Sequence, residues 1–430
     1  MPLLNENNME LELENFYDDD DYADDDYERF HGLLIRRKTS YSTQTAKSSS
    51  KAKLSARQQT DTIQVDRAIA CALKAHPKTF KFTQKGLQYL PPSIKHLSVC
   101  DGLRELDLYG NQLKALPDEI GKLKSVEICN LGEIKKTHQG NNHFEDLPIV
   151  LGSLPRLIKL LLFNNHLGNL SLSLSFSKLS NLRILNLNNN AITQIPSDIG
   201  ILVNLEILTI EHNQLVEIPR EIGLCTRLIE LHFGYNCLTK LPLEIGYLID
   251  LKKLVLHRNN LLELPESITN LKTSLKLLDV ACNNLRIFPS KFHTLHLKEF
   301  YAEHNPLLEH SPIHSIQENE ILTLKELCAR HSMNELRNPT FDFQPTLRDR
   351  IQHNKKAKDI LMQCTECQFC HNYFLNTWLE CVEFIDVQRT FKGVKNHSDQ
   401  VISVIPQRAL LCSYECFNSP GHNYYGVAFT

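Results

Sequence analysis

The sequence predicts an α/β solenoid of about ten stacked repeats, followed by a helical segment and a small cysteine-rich module. Two observations carry this prediction. Six of the 13 cysteines crowd together after residue 360. Asparagine recurs at nearly regular intervals inside one constant apolar frame, and the recurring positions are 111, 142, 165, 190, 213, 236, 259, 283 and 305.

The repeated frame is clearest from Leu205 to Gly223, and it returns at 228–246 and 251–268. It reads L-x-x-L-x-L-x-x-N-x-L-x-x-L-P-x-x-I-G and recurs every 23 residues. The L-x-L step alternates apolar and polar residues, which predicts a short strand with one buried face. The asparagine ends the strand, where its amide can bond the turn, and the glycine permits the corner. No single repeat buries its leucines alone, so neighbours must stack.

This frame resembles the leucine-rich repeat, and its L-P-x-x-I-G half resembles the intracellular Ras-group class of plant Ras-group-related proteins and Ras-pathway scaffolds. The resemblance covers roughly residues 79–310. It implies a horseshoe-shaped solenoid, a role in signal transduction and a small GTPase as one possible partner. Two irregularities interrupt the frame: eight extra residues in or near 132–140, and SLSLSFSKLS at 171–180 in place of the usual Pro and Ile-Gly.

The chain before the repeats divides into a tail and a cap. Residues 1–60 are predicted to be disordered, because residues 1–30 carry a formal charge of −11 and residues 31–60 carry +7. Residues 61–78 are predicted to form a capping helix that starts near Asp61. We find no secretory-leader pattern and no apolar stretch near the ~20 residues of a membrane span. With no paired cysteine framework, this favours the cytoplasm, with the nucleus as an open alternative.

The residues between the frame leucines are predicted to face the concave side of the array. Aromatic, histidine and arginine side chains on a rigid concave face are typical of protein-binding hot spots. The alternative for each one is a merely solvated strand residue. We predict partner binding by Tyr109, Phe163, His212, His232, Tyr235, His257, Arg258, Tyr301 and His304.

The sequence carries no recognisable enzyme site. It has no catalytic triad in register, no phosphate-binding loop and no glycine-rich dinucleotide turn. The basic stretch at 348–358 gives little support for nucleic-acid binding, since nothing resembles a base-reading helix. The prediction is therefore a non-enzymatic protein-interaction scaffold or adaptor, with protein partners and without nucleic acid.

Residues 315–362 are predicted to be a helical segment. Within it, TLKELCARHS at 323–332 resembles the elongin-binding helix of cullin-ligase substrate receptors, although Ser332 stands where an aliphatic residue is expected. Leu324 and Cys328 lie one helical turn apart and can enter a partner groove together. The resemblance implies an alternative function as the substrate-recognition subunit of a cullin-type ubiquitin ligase, with elongin and a cullin as partners. In the competing interpretation, both residues pack on the last repeat.

Residues 363–430 form a candidate metal module. Cys367 and Cys370, then Cys412 and Cys416, supply two pairs of thiols at spacings that suit a tetrahedral ion. Strand-like segments between the pairs favour a zinc-ribbon-like fold with structural zinc. The module also resembles one that closes the array in a subset of leucine-rich-repeat-containing proteins. Two alternatives stay open: free thiols in place of a metal site, and a ligand other than Cys367, namely Cys364 or His371.

Overall fold

The computed structural model describes residues 55–132, 141–168, 176–308, 322–337, 344–376, 379–391 and 402–426. The predicted tail, apart from residues 55–60, lies outside the described residues. The same holds for nearly all of the predicted insertion at 132–140 and for residues 171–175 of the second irregular stretch. No helix among the described residues is both long and apolar enough to cross a membrane.

The repeats form one parallel sheet of ten strands whose spatial order follows the sequence. This confirms the predicted α/β solenoid of ten repeats. Each strand has three residues, because the frame supplies only one L-x-L step per repeat. The strands are β1 Thr79–Lys81, β2 Glu105–Asp107, β3 Ile128–Asn130, β4 Lys159–Leu161, β5 Ile184–Asn186, β6 Ile207–Thr209, β7 Glu230–His232, β8 Lys253–Val255, β9 Leu277–Asp279 and β10 Glu299–Tyr301.

The return arms of the repeats are short 3-10 helices, most of which begin directly after the frame proline. Proline fixes φ near −65° and lacks a backbone N–H, so it suits the residue that precedes a first helical turn. The 3-10 helices span Pro92–Val99, Asp118–Lys122, Ile149–Ser153, Phe176–Leu179, Ser197–Ile201, Arg220–Leu224, Leu243–Tyr247, Glu266–Leu271 and Phe292–Thr294.

The frame leucines form the core between the sheet and the 3-10 helices. Leu208, Leu231 and Leu254 occupy the centres of adjacent strands in register, and all three are 0% exposed. The frame glycine serves close packing and not a corner. A Cβ atom at Gly223 would lie 2.8 Å from the carbonyl oxygen of Glu244 in the next repeat, so a larger residue would push the two 3-10 helices apart.

A helix, α1 (Ala56–Ala75), covers the first repeat. It begins earlier than the sequence pattern predicted, because Ser55 and Gln58 form a reciprocal capping box. Asp61 is buried, and it accepts hydrogen bonds from the backbone N–H groups of Gln88 and Tyr89, both at 3.0 Å. The residue predicted to lie near the start of the helix therefore fastens the helix to repeat 1.

The C-terminal part is a small mixed fold. Its helices are α2 Leu324–Arg337, α3 Gln344–His353, α4 Lys355–Leu361, α5 Val387–Thr390 and α6 Tyr414–Asn418. Its strands are β11 Thr365–Glu366, β12 Tyr373–Phe374, β13 Leu379–Asp386, β14 Val404–Leu411 and β15 Tyr424–Gly426. Strands β11 and β12 form a hairpin, and β13 pairs with both β14 and β15 in an antiparallel sheet.

This C-terminal sheet closes the exposed end of the solenoid. Phe391 contacts the rings of Phe292 and Phe300 at 5.7 and 5.5 Å between centroids. The N–H of Phe288 donates to the carbonyl of Pro406, at 2.9 Å. The last repeat therefore shares its hydrophobic core with the C-terminal fold.

Arg408 on β14 adds an ionic contact between the sheet and the array. Its guanidinium nitrogens lie 2.6 Å from Glu380, 3.1 Å from Glu266 and 3.2 Å from Glu263. Glu380 belongs to the same sheet, whereas the other two carboxylates belong to the repeats. A single arginine thus joins both parts of the molecule with the fork geometry that suits carboxylates.

Candidate binding surface and metal centre

In every repeat from 2 to 10 except repeat 3, the residue before the frame asparagine adopts the left-handed conformation, with φ values of 51–57° at His212, Tyr235, Arg258, Cys282 and His304. This conformation is strained for L residues other than glycine, asparagine and aspartate, by about 1–2 kcal/mol each. Repeats 2, 4 and 5 use tolerant residues there: Gly110, Asn164 and Asn189. Repeats 6 to 10 instead have residues for which this conformation is strained. These residues form one row along the ends of the strands.

The row carries a compact aromatic and cationic cluster. The rings of His212 and Tyr235 stack with their centroids 4.0 Å apart and an interplanar angle of 18°. His257 meets Tyr235 edge-on at 5.0 Å, and the Arg258 guanidinium lies 5.2 Å from the Tyr235 centroid. Arg258 is exposed and the other three are half-buried. Because each ring is held by its neighbours, the cluster is a rigid surface with little side-chain entropy to lose on binding.

Beside this cluster lies a buried group of charges. His232, 3% exposed, has its Nε2 atom 3.2 Å from Glu230 and its Nδ1 atom 3.8 Å from Glu211. Burial opposes the charged imidazole, but hydrogen bonds and charge from the two carboxylates outweigh it and raise the pKa of His232 to about 9. At neutral pH the histidine is therefore an imidazolium that holds two strands together.

We expect stability to fall as this imidazolium loses its proton. Since the folded pKa of about 9 exceeds the ordinary 6.5, its stabilisation is complete below pH 6.5 and is lost as pH rises through 9. The free energy of unfolding should drop by about 3 kcal/mol between pH 7 and 10. Urea unfolding at both pH values measures it. In a His232→Gln variant that drop should largely disappear, and an unchanged drop would contradict the assignment.

The predicted concave residues fall into two groups. Arg258 and His304 are exposed, and Tyr109, His212, Tyr235 and His257 are half-buried, so all six can meet a partner. Phe163, His232 and Tyr301 are buried, with exposed fractions of 4, 3 and 8%, and their prediction as exposed contacts was wrong.

Neighbouring residues of the same or the adjacent repeat explain the burial of these three side chains. Phe163 packs over Gly132, where a Cβ atom would lie only 3.0 Å from its ring. His232 is enclosed by the two glutamates described above. The hydroxyl of Tyr301 donates to Glu299 at 3.1 Å. Strand alternation gives the direction of a side chain, but the size of its neighbours decides whether solvent reaches it.

The C-terminal fold gathers four thiols. The Sγ atoms of Cys367, Cys370, Cys412 and Cys416 all lie within 4.8 Å of one another. Cys370 and Cys412 are 3.5 Å apart, and Cys412 and Cys416 are 3.6 Å apart. These four residues are the predicted ligand set, and they can hold a metal ion.

Local structure explains how the thiols meet. The first pair lies in the turn between β11 and β12, as the hairpin prediction required. The second pair does not lie in a hairpin. Cys412 follows β14, and Cys416 belongs to α6, where Ser413 caps the helix by accepting from the N–H of Cys416 at 3.3 Å.

The electrostatics of the cluster favour a thiolate. A hydrogen bond from the Cys412 thiol lowers the pKa of Cys367 to about 4 in spite of its burial. The same hydrogen bond raises the pKa of Cys412, because the Cys412 thiol can donate to the Cys367 thiolate only while it keeps its proton. Thiolate is the form of cysteine that binds metals. The alternative ligands Cys364 and His371 lie outside the four-thiol group, and His371 is exposed and bonded to Glu366 at 3.1 Å.

Helix α2 presents the predicted adaptor residues to solvent. Its buried side faces the C-terminal fold, where Glu326 accepts from the backbone N–H groups of Leu375 and Asn376 at 2.9 and 2.6 Å. Leu324 is 77% exposed, and Cys328 is also exposed. Both therefore point away from the surface on which α2 rests, and the interpretation that they pack on the last repeat was wrong.

The comparisons with known proteins agree with this geometry. A family model described as a leucine-rich repeat region matches residues 162–257, and one described as a leucine-rich repeat matches residues 102–123. Together with the ten-stranded parallel sheet, these matches show that the chain contains leucine-rich repeats.

Among curated proteins, the chain is similar to leucine-rich repeat-containing protein 69. The Xenopus laevis protein is 42% identical over 143 residues, which are 33% of this chain and 39% of that protein. The Homo sapiens protein is 35% identical over 132 residues, which are 31% of this chain and 35% of that protein. The chain thus spans well under half the length of these relatives. A solved leucine-rich-repeat protein of Leptospira interrogans is 30% identical with a TM-score of 0.48, covering 53% of this chain and 55% of that one.

Proposed function

We propose that this chain is a non-enzymatic scaffold that binds a protein partner on the concave side of repeats 6 to 10. The observation that carries the proposal is the row of strained side chains at the strand ends, in which Tyr235 stacks on His212 beside Arg258. Tyrosine and arginine are enriched among the residues that dominate binding energy at protein interfaces. Strain at a surface position gives the folded chain no stability, and binding is a reason to hold such residues there.

The dimensions of the row suit a macromolecule better than a small ligand. With strands about 4.8 Å apart, five repeats extend over about 20 Å. Arg258 and His304, at its middle and its end, are both exposed. A flat or gently curved surface of this length matches a protein partner, and the resemblance to Ras-group repeats makes a small GTPase one class to test.

Removing the central ring should weaken partner binding at least tenfold. Tyr235→Ala deletes the stacking partner of His212 and the ring beneath Arg258, while Tyr247→Ala is the matched control on the opposite side of the repeat, where Tyr247 is 60% exposed. Affinity purification of each full-length variant, with quantitative mass spectrometry, measures the loss. Partners that Tyr235→Ala retains and Tyr247→Ala loses would contradict the proposal.

A second candidate function rests on α2. Leu324 and Cys328 are exposed one turn apart on a helix that the C-terminal fold holds by its other side. Leu327, 48% exposed, extends this apolar strip. An exposed apolar strip on an anchored helix is the form that helix-in-groove recognition requires. We propose elongin and a cullin as the partners to test, with the solenoid selecting the protein for ubiquitination.

Substituting the α2 strip separates the two functions. Leu324→Ser with Cys328→Ser should remove elongin and cullin from the purified complex without changing the melting temperature, because both side chains are already in water. Ala329→Ser, at a buried position on the same helix, is the comparison that should affect folding. If elongin is absent from the unsubstituted complex as well, the adaptor function is excluded.

The chemistry of the four thiols leads us to propose zinc as their ion. A tetrahedral ion with Zn–S bonds of about 2.3 Å places its sulfur atoms about 3.8 Å apart. The separations of 3.5 and 3.6 Å at Cys412 are close to this value. With four protein ligands the ion would have no open position, so its role would be structural.

A further inference from the structure

Three lysines lie side by side along one rim of the concave face in repeats 8 to 10. Lys252, Lys276 and Lys298 each follow the first leucine of the frame and directly precede β8, β9 and β10. The N–H of Lys276 donates to the carbonyl of Lys252 at 2.8 Å, and the N–H of Lys298 donates to the carbonyl of Lys276 at 2.7 Å. These residues, the lysine row, are therefore direct neighbours across adjacent repeats, with backbones about 4.8 Å apart.

The same frame position carries opposite charges elsewhere in the array. Arg104 of repeat 2 pairs with Glu127 of repeat 3, and Arg183 of repeat 5 lies 3.3 Å from Glu206 of repeat 6. Each pair joins two adjacent repeats. Like charges that face each other across neighbouring strands are instead destabilising. The rim of repeats 8 to 10 thus concentrates positive charge where other repeats balance it.

The lysine row is accessible from solvent. Lys252 and Lys298 are exposed, and Lys276 is half-buried with its Nζ atom donating to the carbonyl of Thr273 at 2.9 Å. Lys272, exposed at the end of the preceding 3-10 helix, adds a fourth charge. In the part of the chain that the structure describes, none of these four lysines forms an ion pair. An anionic ligand can therefore reach them without first displacing a carboxylate.

Two acidic residues adjoin the lysine row in the sequence. Asp250 is exposed in the turn before β8, and Glu299 on β10 accepts from the hydroxyl of Tyr301 at 3.1 Å on the concave face. Four lysines against two carboxylates leave a net positive charge on this rim. The local field therefore favours a ligand with several negative charges.

The chain itself carries a segment of the complementary charge. Residues 17–28 hold eight Asp or Glu and no Lys or Arg, and Asp18–Asp21 is an unbroken run of four. In an extended chain, four residues with a rise of about 3.3 Å each span about 10 Å. Two strand spacings give the lysine row the same length of about 10 Å. The segment therefore matches the lysine row in length as well as in charge.

The intervening chain is long enough for the two to meet. Residues 27–54 lie between the acidic run and Ser55, the first described residue, and 28 extended residues reach about 90 Å. Nine strand spacings separate repeat 1 from repeat 10 by about 45 Å. Surface ion pairs are individually weak, but a tethered segment binds at a high effective concentration. A segment of the same chain thus has an advantage over any free anion.

We propose that the lysine row binds the acidic segment 17–28 of the same chain. The segment then lies along the rim of repeats 8 to 10, beside the exposed side chains of Arg258 and His304. There it competes with any acidic ligand for the four lysines. This contact does not depend on the concave-face function, because it requires only the rim lysines and the segment.

Zero-length crosslinking of the full chain tests the contact directly. A carbodiimide joins a carboxylate to a lysine amine only when the two touch, so crosslinks from residues 17–28 should concentrate on the lysine row at about 0.05 M salt. They should fall at least fivefold at about 0.5 M salt, because salt screens exposed charges. Lys95, exposed on repeat 1 and nearer to Ser55 along the chain, is the control. Crosslinks spread evenly over Lys95 and the lysine row would overturn the proposal.

Isotope labelling shows whether the segment and the lysines belong to one molecule. When chains labelled with nitrogen-15 are mixed with unlabelled chains, the crosslinked peptides should carry a single label. Crosslinks that carry both labels in the proportion of random mixing would place the segment on a second copy and overturn the same-chain contact.

Substitution of the lysine row gives a second readout that does not need the lysine amines. A dye on the N-terminal amine of the full chain should rotate more slowly while the segment is bound. Arginine in place of all three lysines keeps the charge and should keep the dye's anisotropy, whereas glutamine should lower it to the high-salt value. Since the row is exposed and unpaired, neither change should lower the melting temperature. The glutamine variant is Lys252→Gln with Lys276→Gln and Lys298→Gln, and its control on repeats 1 and 2 is Lys95→Gln with Lys122→Gln and Lys124→Gln. An equal fall of anisotropy in both, or no fall in the first, would overturn the proposal.

Discussion

Cys412→Ser is expected to remove the zinc ion that we propose and to unfold the C-terminal module. Cys412 lies at the centre of the four-thiol group, 3.5 and 3.6 Å from two of the other sulfur atoms. Structural zinc contributes about 10–16 kcal/mol to the folding of finger peptides at neutral pH, more than a module of this size can replace from its own core. Elemental analysis of the purified chain should give one zinc per molecule, and none in the variant.

The loss should spread into the solenoid. The sheet that carries Cys412 also covers Phe292 and Phe300 through Phe391, so unfolding of the module exposes the last repeat. Hydrogen exchange should increase across β9 and β10 while the middle of the array stays protected. Cys237→Ser, a half-buried cysteine of the repeats, is the matched control and should keep the zinc. A folded Cys412→Ser chain without metal would contradict a structural role for the ion.

Asn236→Ala is expected to destabilise the solenoid by about 3 kcal/mol or more. The buried amide accepts from the N–H of Leu215 at 3.0 Å and donates to the carbonyls of Ile210 at 2.8 Å and Phe233 at 3.1 Å. Alanine leaves these backbone groups buried without partners, in two adjacent repeats at once. Chemical denaturation of the full chain, followed by circular dichroism, measures the change.

The control for this prediction is an asparagine that does not occupy the frame position. Asn260 is exposed, directly after the frame asparagine of repeat 8. Asn260→Ala should change stability by less than about 0.5 kcal/mol. An equal loss of stability at both positions would show that the number of asparagines, and not the buried hydrogen bonds of the frame asparagines, sets the stability.

The period of the sequence was enough to predict the strands and their register. Because a shift of one residue would turn Leu231 outward, the L-x-L step leaves a single pairing with Leu208 and Leu254, and the structure has that pairing. The four-thiol set was also predictable, since metal ligands occur at spacings that one turn or one helix start can present. In both cases the spacing of residues close together in the sequence determines the structure.

Burial on the concave face was not predictable in the same way. Phe163 is buried because Gly132 on the preceding strand lets it approach, and His232 is buried because two glutamates enclose it. Gly132 and Glu211 belong to the repeat before the residue that they contact, so no pattern within one repeat reports these contacts. The left-handed backbone conformation at Tyr235 was not predictable from the repeated frame either. Glycine, asparagine or histidine occupies the same position in other repeats.

The docking of the C-terminal fold on the last repeat was the other feature that the sequence pattern did not predict. The hydrogen bond from Phe288 to Pro406 joins residues far apart in the chain, and only Phe288 lies in the repeated frame. The buried face of α2 centres on Glu326, a charged residue that apolar periodicity places on the solvent side. Its burial depends on two backbone N–H donors from the C-terminal fold, which only the tertiary structure reveals.

Site-specific photocrosslinking in cells tests the concave-face function most directly. A benzophenone-bearing phenylalanine replaces Tyr235 in one chain and Tyr247, 60% exposed on the opposite side, in another. Both positions keep an aromatic ring, so folding should be equal. We expect light-dependent adducts with a protein partner at position 235 and none with that partner at position 247. Adducts with the same partner at 247 alone would contradict the account.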